Sequence, residues 1–267
     1  MLLHRVLTAV VLAPLLVWLV VSGPNWGFAL LILVAQALAL DEFLTISLGK
    51  ENRVQRQIAH ALGAFFVGAA YFAPSYVPFV AAAAPMVLFL GFLAQPEPIP
   101  ESVRRWGLTV GGVLYVSYLL SFFVPLKTSS GDGRFWVLLV FIVVWFGDTG
   151  AYFAGRAFGK HKLYELISPK KTIEGSLGGL VAGVIGSILF KVLVFHRLSY
   201  LDCVLVALPA GILEQLGDLC ESMLKRAFGA KDSGTLLPGH GGLLDRIDGV
   251  LFAVPYVYVY MYLISTR

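Results

Sequence analysis

The sequence predicts an all-α fold, a polytopic bundle of about nine transmembrane helices with its polar site on one face of the membrane. Three observations carry this. Hydrophobic residues make up 58% of the 267-residue chain and charged residues only 13%, whereas a soluble domain carries about 25% charge. Apolar stretches of spanning length recur along the whole chain. Lys and Arg gather in alternate loops, as they do when cytoplasmic loops retain positive charge.

The stretches fall at residues 5–22, 26–48, 57–73, 76–94, 103–126, 135–154, 174–195, 200–217 and 247–265. Lipid leaves backbone N–H and C=O groups without partners, so each is read as a helix. His4 and Arg5 precede the first stretch as they would a signal peptide. Ser22-Gly23-Pro24-Asn25 lacks a small-x-small cleavage pattern, so the stretch reads as a retained span. The third and fourth are the weakest, meeting at Ala73-Pro74-Ser75, with Pro78 and Pro85 inside the fourth. With nine spans, fifteen of the twenty Lys and Arg residues fall on one side, from Arg5 through Arg104 and Lys170 to Arg246. That places the N-terminus in the cytoplasm and the C-terminus outside. Residues 1–126 hold five spans, and residues 127–267 form a C-terminal region with the other four. No linker separates them, so they read as one integral domain.

Several classes are disfavoured. The net charge of +4 comes without a basic stripe interleaved with aromatics, so anionic headgroups and phosphates suit it better than nucleic acid. The two cysteines, Cys203 and Cys220, show no CxxC or Cys/His spacing, which argues against a zinc site or a disulfide framework. His240 has no Ser or Cys partner spaced for a nucleophilic triad. Trp18, Trp26, Trp106, Trp136 and Trp145 lie largely near span ends, as interfacial belts do.

Two polar segments, separated by two spans and therefore on the same face, carry the chemistry. In the second, a helix would align Asp218, Ser222 and Lys225 at i, i+4 and i+7. Lys231-Asp232-Ser233-Gly234 has turn composition. Pro238-Gly239-His240-Gly241-Gly242 lets backbone N–H groups approach a ligand. Asp245 and Asp248 follow on one face of the last helix, with Arg246 between them. Carboxylates at a membrane edge beside Lys225, Arg226 and Lys231 point to a divalent cation such as Mg²⁺ together with phosphate, with Asp218, Asp245 and Asp248 as ligands. In the first segment, Ser168-Pro169-Lys170-Lys171 precedes a helix that Thr172 or Ser176 would cap, turning its positive end toward an anion. Asp148, near the end of the sixth span, is a further candidate ligand, because a carboxylate there needs a partner or water. Glu214 in the eighth span reads as a ligand neighbour or a structural partner. Asp41 and Glu42 close the second span and read as interfacial.

Ser222-Met223-Leu224-Lys225-Arg226, Lys231-Asp232-Ser233-Gly234 and Leu237-Pro238-Gly239-His240-Gly241-Gly242-Leu243-Leu244-Asp245-Arg246-Ile247-Asp248 together resemble the signature of the phosphatidate cytidylyltransferase family. Gly147-Asp148-Thr149-Gly150-Ala151-Tyr152 and the run from Ser168 to Gly175 also look like family segments. The resemblance covers roughly the C-terminal half. It implies a Mg²⁺-dependent integral membrane nucleotidyltransferase of the bacterial inner membrane, working as a homodimer. Its partners would be CTP, phosphatidate and the surrounding lipids, and its products CDP-diacylglycerol and pyrophosphate. On this reading the catalytic set is Asp218, Asp245, Asp248 and Lys225. The substrate-binding set is Ser168, Lys170, Lys171, Ser222, Arg226, Lys231, Asp232, His240, Gly241, Gly242 and Arg246. A transporter is disfavoured because the polar residues sit at one face rather than at mid-span. A CTP-dependent lipid kinase would release CDP instead of pyrophosphate. A scaffold leaves the acid and base cluster at 218–248 without a purpose.

Overall fold

The computed structural model describes residues 14–49, 53–94, 98–236 and 241–265. The described chain is nearly all helical, and seven of its helices are long and apolar enough to cross a membrane. It divides into two compact units, residues 1–128 with 228–246, and residues 129–227 with 247–267.

The first unit contains α1 (Asn25–Leu48), α2 (Arg53–Phe72), a 3₁₀ turn Pro74–Tyr76 leading into α3 (Val77–Ala94), and α4 (Ile99–Thr128). Phe28, Leu40, Leu44, Phe66, Leu88 and Phe123 form its core. α3 is apolar all round, and α1 is so as far as Leu40 apart from the buried Gln36, which suits helices with lipid on one side and protein on the other. α2 starts with Arg53-Val54-Gln55-Arg56 and is not one of the seven helices of spanning apolarity. The third expected stretch therefore forms a helix, but a more polar one. Half of the first expected stretch, residues 5–13, lies outside the described residues, and 14–21 are helical.

A polar node joins three helices of this unit. Gln36 of α1 is fully buried, and its Nε2 donates to Ser117 Oγ of α4 at 2.8 Å. Gly63 of α2 makes room for this pair, because a Cβ there would lie 2.9 Å from Ser117 Oγ. Ser117 belongs to a π-helical turn, Val113–Tyr118, a widened segment within α4. Such turns carry one extra residue per loop of helix and re-aim their side chains.

The second unit contains α5 (Gly133–Phe158), strands β1 (Lys162–Tyr164) and β2 (Ser168–Thr172), α6 (Ile173–Leu193), α7 (Tyr200–Ala227) and most of α8 (Leu244–Ser265). α5 and α6 approach almost backbone to backbone along a seam of small residues. A Cβ on Gly175 would come within 2.9 Å of the Ala151 carbonyl oxygen, and one on Gly179 within 2.9 Å of the Gly147 oxygen. In lipid this close fit supplies the dispersion contact that a water-driven hydrophobic effect cannot. Ser199 and Asp202 cap each other reciprocally at the start of α7, and Tyr260 Oη of α8 donates to Asp202 Oδ1 at 2.6 Å.

The antiparallel β1–β2 hairpin, pairing Lys162 with Thr172 and Tyr164 with Ser168, is a feature the purely helical reading lacks. Its strands are only 3 and 5 residues long, too short for an alternating pattern to stand out.

Candidate active site

The site is built in the second unit where the hairpin, α5, α6 and α7 meet. A cavity of about 480 Å³ opens there, lined among others by Asp148, Arg156, Lys170, Lys171, Glu214 and Asp218. That size suits a small-molecule site.

The hairpin sets the cavity's geometry. β2 runs directly into α6, and Thr172, in extended conformation, caps that helix by accepting from Gly175 N at 3.1 Å. Of the two caps the sequence allows, the structure uses Thr172. Ser176 donates instead to Gln215 Oε1, and Gln215 Nε2 returns a bond to the Ser176 carbonyl at 3.1 Å, tying α6 to α7. Glu174, in the first turn, accepts from the Lys160 and His161 amides at 3.0 and 3.2 Å and pairs with the His161 ring. This holds the chain between α5 and β1 against the helix start. Lys170 and Lys171 therefore stand beside a helix N-terminus, whose partial positive charge adds to theirs.

α7 supplies the acidic wall. Asp218 accepts from Lys171 Nζ and, at 3.2 Å, from Ser222 Oγ one turn on, so the expected face of Asp218 and Ser222 is real. Lys225 continues that face but pairs with Glu221 at 2.5 Å, and the Glu221 side chain is only 1% exposed. Glu214, one turn before Asp218, is 4% exposed. It is hydrogen-bonded to Asp148 of α5 and lies within electrostatic reach of Lys171 and Asp218. Asp248 of α8 feels Asp218, Lys225 and Asp148, and its Oδ1 accepts from Gly249 N at 2.8 Å. Glycines allow α7 and α8 to come this near. A Cβ on Gly217 would meet the Asp248 carbonyl oxygen at 2.6 Å, and one on Gly249 would meet Glu214 Cγ at 2.8 Å.

This unit thus brings together Asp148, Lys170, Lys171, Asp218, Ser222, Lys225 and Asp248, while Ser168 begins β2 and Arg226 is exposed near the end of α7. Glu214 and Gln215 join the cavity wall. Two carboxyl groups in mutual hydrogen-bonding range, such as Asp148 and Glu214, need a proton or a cation between them. Among the described residues, no three His, Cys, Asp or Glu side chains are grouped to hold a metal ion. The donor set suits a cation that takes one or two carboxylates and fills its remaining positions with phosphate and water oxygens, as Mg²⁺ does.

Lys231, Asp232, Gly241, Gly242, Asp245 and Arg246 belong to the first unit, and His240 lies outside the described residues. There Asp245 Oδ2 accepts from Ser233 N at 2.9 Å and Gly242 N at 2.8 Å, closing the loop before α8. Gly241 has φ +79°, a conformation that favours glycine, and a Cβ on it would come within 2.7 Å of Asp245 Oδ2. Glu42, read from the sequence as interfacial, proves to be a partner of this loop. It accepts from Ser233 Oγ, Leu243 N and Leu244 N. Asp41 beside it pairs with Arg56 at 2.5 Å.

Helices of spanning length mark an integral membrane protein, and its cavity is walled by both lysines and carboxylates. The chain belongs to the cytidylyltransferase family, which matches residues 3–264, and the resemblance read from its signature is borne out. It is similar to the phosphatidate cytidylyltransferase of Thermotoga maritima, 34% identical over 263 residues that make up 96% of this chain and 94% of that one. It is 47% identical to that of Staphylococcus haemolyticus over 143 residues, 54% of this chain and 55% of the relative. With the Bacillus subtilis protein of the same name it shares 38% identity over 159 residues, 60% and 59% of the two chains. The chain thus spans only about half the length of the staphylococcal and Bacillus relatives in these matches.

Proposed function

We propose that this chain is a phosphatidate cytidylyltransferase of the bacterial inner membrane. It transfers CMP from CTP to phosphatidate and forms CDP-diacylglycerol. The observation that carries the reading is the cavity at the start of α6, where Lys170, Lys171 and a capped helix N-terminus face Asp148, Glu214 and Asp218. Nine spans, with the N-terminus and this cavity on the cytoplasmic side, would put the site where CTP is found.

In the reaction, an oxygen of the phosphatidate phosphate forms a bond to the α-phosphorus of CTP. The bond from that phosphorus to the α–β bridging oxygen breaks, and pyrophosphate leaves. Both reactants are anions, so the barrier is dominated by their repulsion and by the entropy of aligning them. Lys170 and Lys171 lower the first term by neutralising phosphate charge, and the α6 N-terminus adds fixed donors. Lys171 is held in place by its pairing with Asp218. Ser222 and the expected His240 orient phosphate oxygens, while Arg226, Lys231 and Arg246 bind substrate charge. The nucleophile is already ionised near neutral pH, so no strong general base is needed.

Asp218 and Asp248, with Asp148 beside them, are proposed to hold Mg²⁺. The ion would supply charge neutralisation and Lewis-acid polarisation at the phosphates. The family resemblance further supports a homodimer.

The test is purified chain in lipid nanodiscs with phosphatidate, CTP labelled at the α-phosphate, and MgCl₂, with products separated by chromatography. Labelled CDP-diacylglycerol and equimolar pyrophosphate are expected. Release of labelled CDP with no nucleotide-bearing lipid would identify a lipid kinase instead. Absence of any nucleotide turnover would remove the proposal.

A further inference from the structure

Outside the charged cavity, Glu42 gathers three hydrogen bonds from residues 191 to 202 positions away. This residue sits in the last two turns of α1, 191 residues before Ser233. Its Oε1 accepts from Leu243 N at 3.0 Å, and its Oε2 accepts from Leu244 N at 2.8 Å and Ser233 Oγ at 3.1 Å. Leu244 opens α8. The first amides of a helix have no partner within it. Here a carboxylate from a different helix satisfies two of them and also places a negative charge at the positive end of the dipole.

The contact is part of a closed ring. Ser233 Oγ, which donates to Glu42, also accepts from Asp245 N at 3.2 Å. Asp245 Oδ2 accepts from Ser233 N and Gly242 N. Ser233 is 5% exposed, so these bonds compete little with water. The backbone is shaped to admit Glu42. A Cβ on Gly234 would stand 2.7 Å from Glu42 Oε1, and one on Gly242 would stand 2.5 Å from Oε2.

We infer that Glu42 is a positioning residue for the reaction, holding residues 231–236 and 241–245 in their working shape without touching substrate. The inference rests on the reading given above, because it is that reading which makes Lys231, Asp232, Gly241 and Gly242 substrate-binding. Glutamine has nearly the shape of glutamate but offers one acceptor oxygen and an NH₂ group. In Glu42→Gln that NH₂ group would face either the Leu243 amide or the Leu244 amide, donor against donor.

The experiment compares wild type, Glu42→Gln, Ser233→Ala, the double variant carrying both substitutions and the control Asp41→Asn, all full-length in nanodiscs. Hydrogen exchange, thermal melting and turnover are measured on each. In Glu42→Gln, exchange in peptides covering 231–246 should quicken by roughly five- to thirtyfold, the effect of losing one or two ordinary stabilising contacts. Peptides covering 205–220 should be unchanged. Turnover should fall about 10- to 100-fold, as on loss of a supporting hydrogen bond behind a site, with the melting temperature within a few degrees of wild type. Ser233→Ala should reproduce both effects, and the double variant should be no worse than the worse single, because the two residues act as one unit. Asp41→Asn should match wild type.

Unchanged exchange over 231–246, or faster exchange with undiminished turnover, would overturn the inference. So would additive losses in the double variant. If Glu42→Gln does not fold, Ser233→Ala alone decides by the same two readouts. Should wild type make no CDP-lipid, the functional reading fails, whereas the exchange data still decide whether Glu42 holds the loop.

Discussion

Lys171 has two tasks in one ammonium group, balancing Asp218 and facing the cavity. Lys171→Ala should lower kcat about 100- to 1,000-fold, the usual loss when one donor to a developing oxyanion is removed. Lys171→Arg should recover part of it, because the charge remains while its geometry changes. Steady-state kinetics with both substrates measures this. Lys225 calls for a paired test. Its partner Glu221 is buried, so Lys225→Ala leaves a carboxylate without its counter-charge and should cost about 3 kcal/mol of stability. Lys225→Met combined with Glu221→Gln should regain the melting temperature. If Lys225 also binds phosphate, turnover stays low in that double variant. Spacing alone made the Asp218–Ser222–Lys225 face legible, because all three lie on one helix. Glu42 was not legible, since all three of its bonds go to residues at least 191 positions away. Nothing in the sequence separates it from Asp41, which serves a surface pair with Arg56.

Among the elements, the α5–α6 seam fixes the cavity, because both Lys171 and the capped start of α6 depend on how closely those helices approach. Gly179→Leu should push them apart, lowering the melting temperature by roughly 5 °C or more and lowering activity with it. Fluorescence-detected thermal unfolding alongside turnover checks this. Gly175, Gly179 and Gly183 recur every four residues and are all buried. That pattern is visible in the sequence, yet within a stretch read only for its hydropathy it passes as generic apolar span. The β1–β2 hairpin left less trace. Its five-residue second strand contains Pro169 and two lysines, which reads as a basic loop, and only its pairing with Lys162–Tyr164 makes it a strand.

For the molecule as a whole, hydropathy conveyed the nearly all-helical membrane class because burial in lipid demands long unbroken apolar runs. It is less decisive for α2, where Arg53, Gln55 and Arg56 dilute the apolar face. A cation-dependent reaction should stop when EDTA exceeds the divalent ion and resume on adding MgCl₂, with the melting curve reporting any accompanying change in stability. Activity undiminished by thorough chelation would remove the metal from the proposal. The anchoring of the late loop by Glu42 also has a bearing on biosynthesis. A ribosome adds about 5–20 residues per second, so Glu42 emerges roughly ten to forty seconds before Ser233, its nearest partner in sequence. During that interval its carboxylate must remain hydrated or find a temporary companion, and a nascent chain stalled before Ser233 would lack the segment that finally claims it.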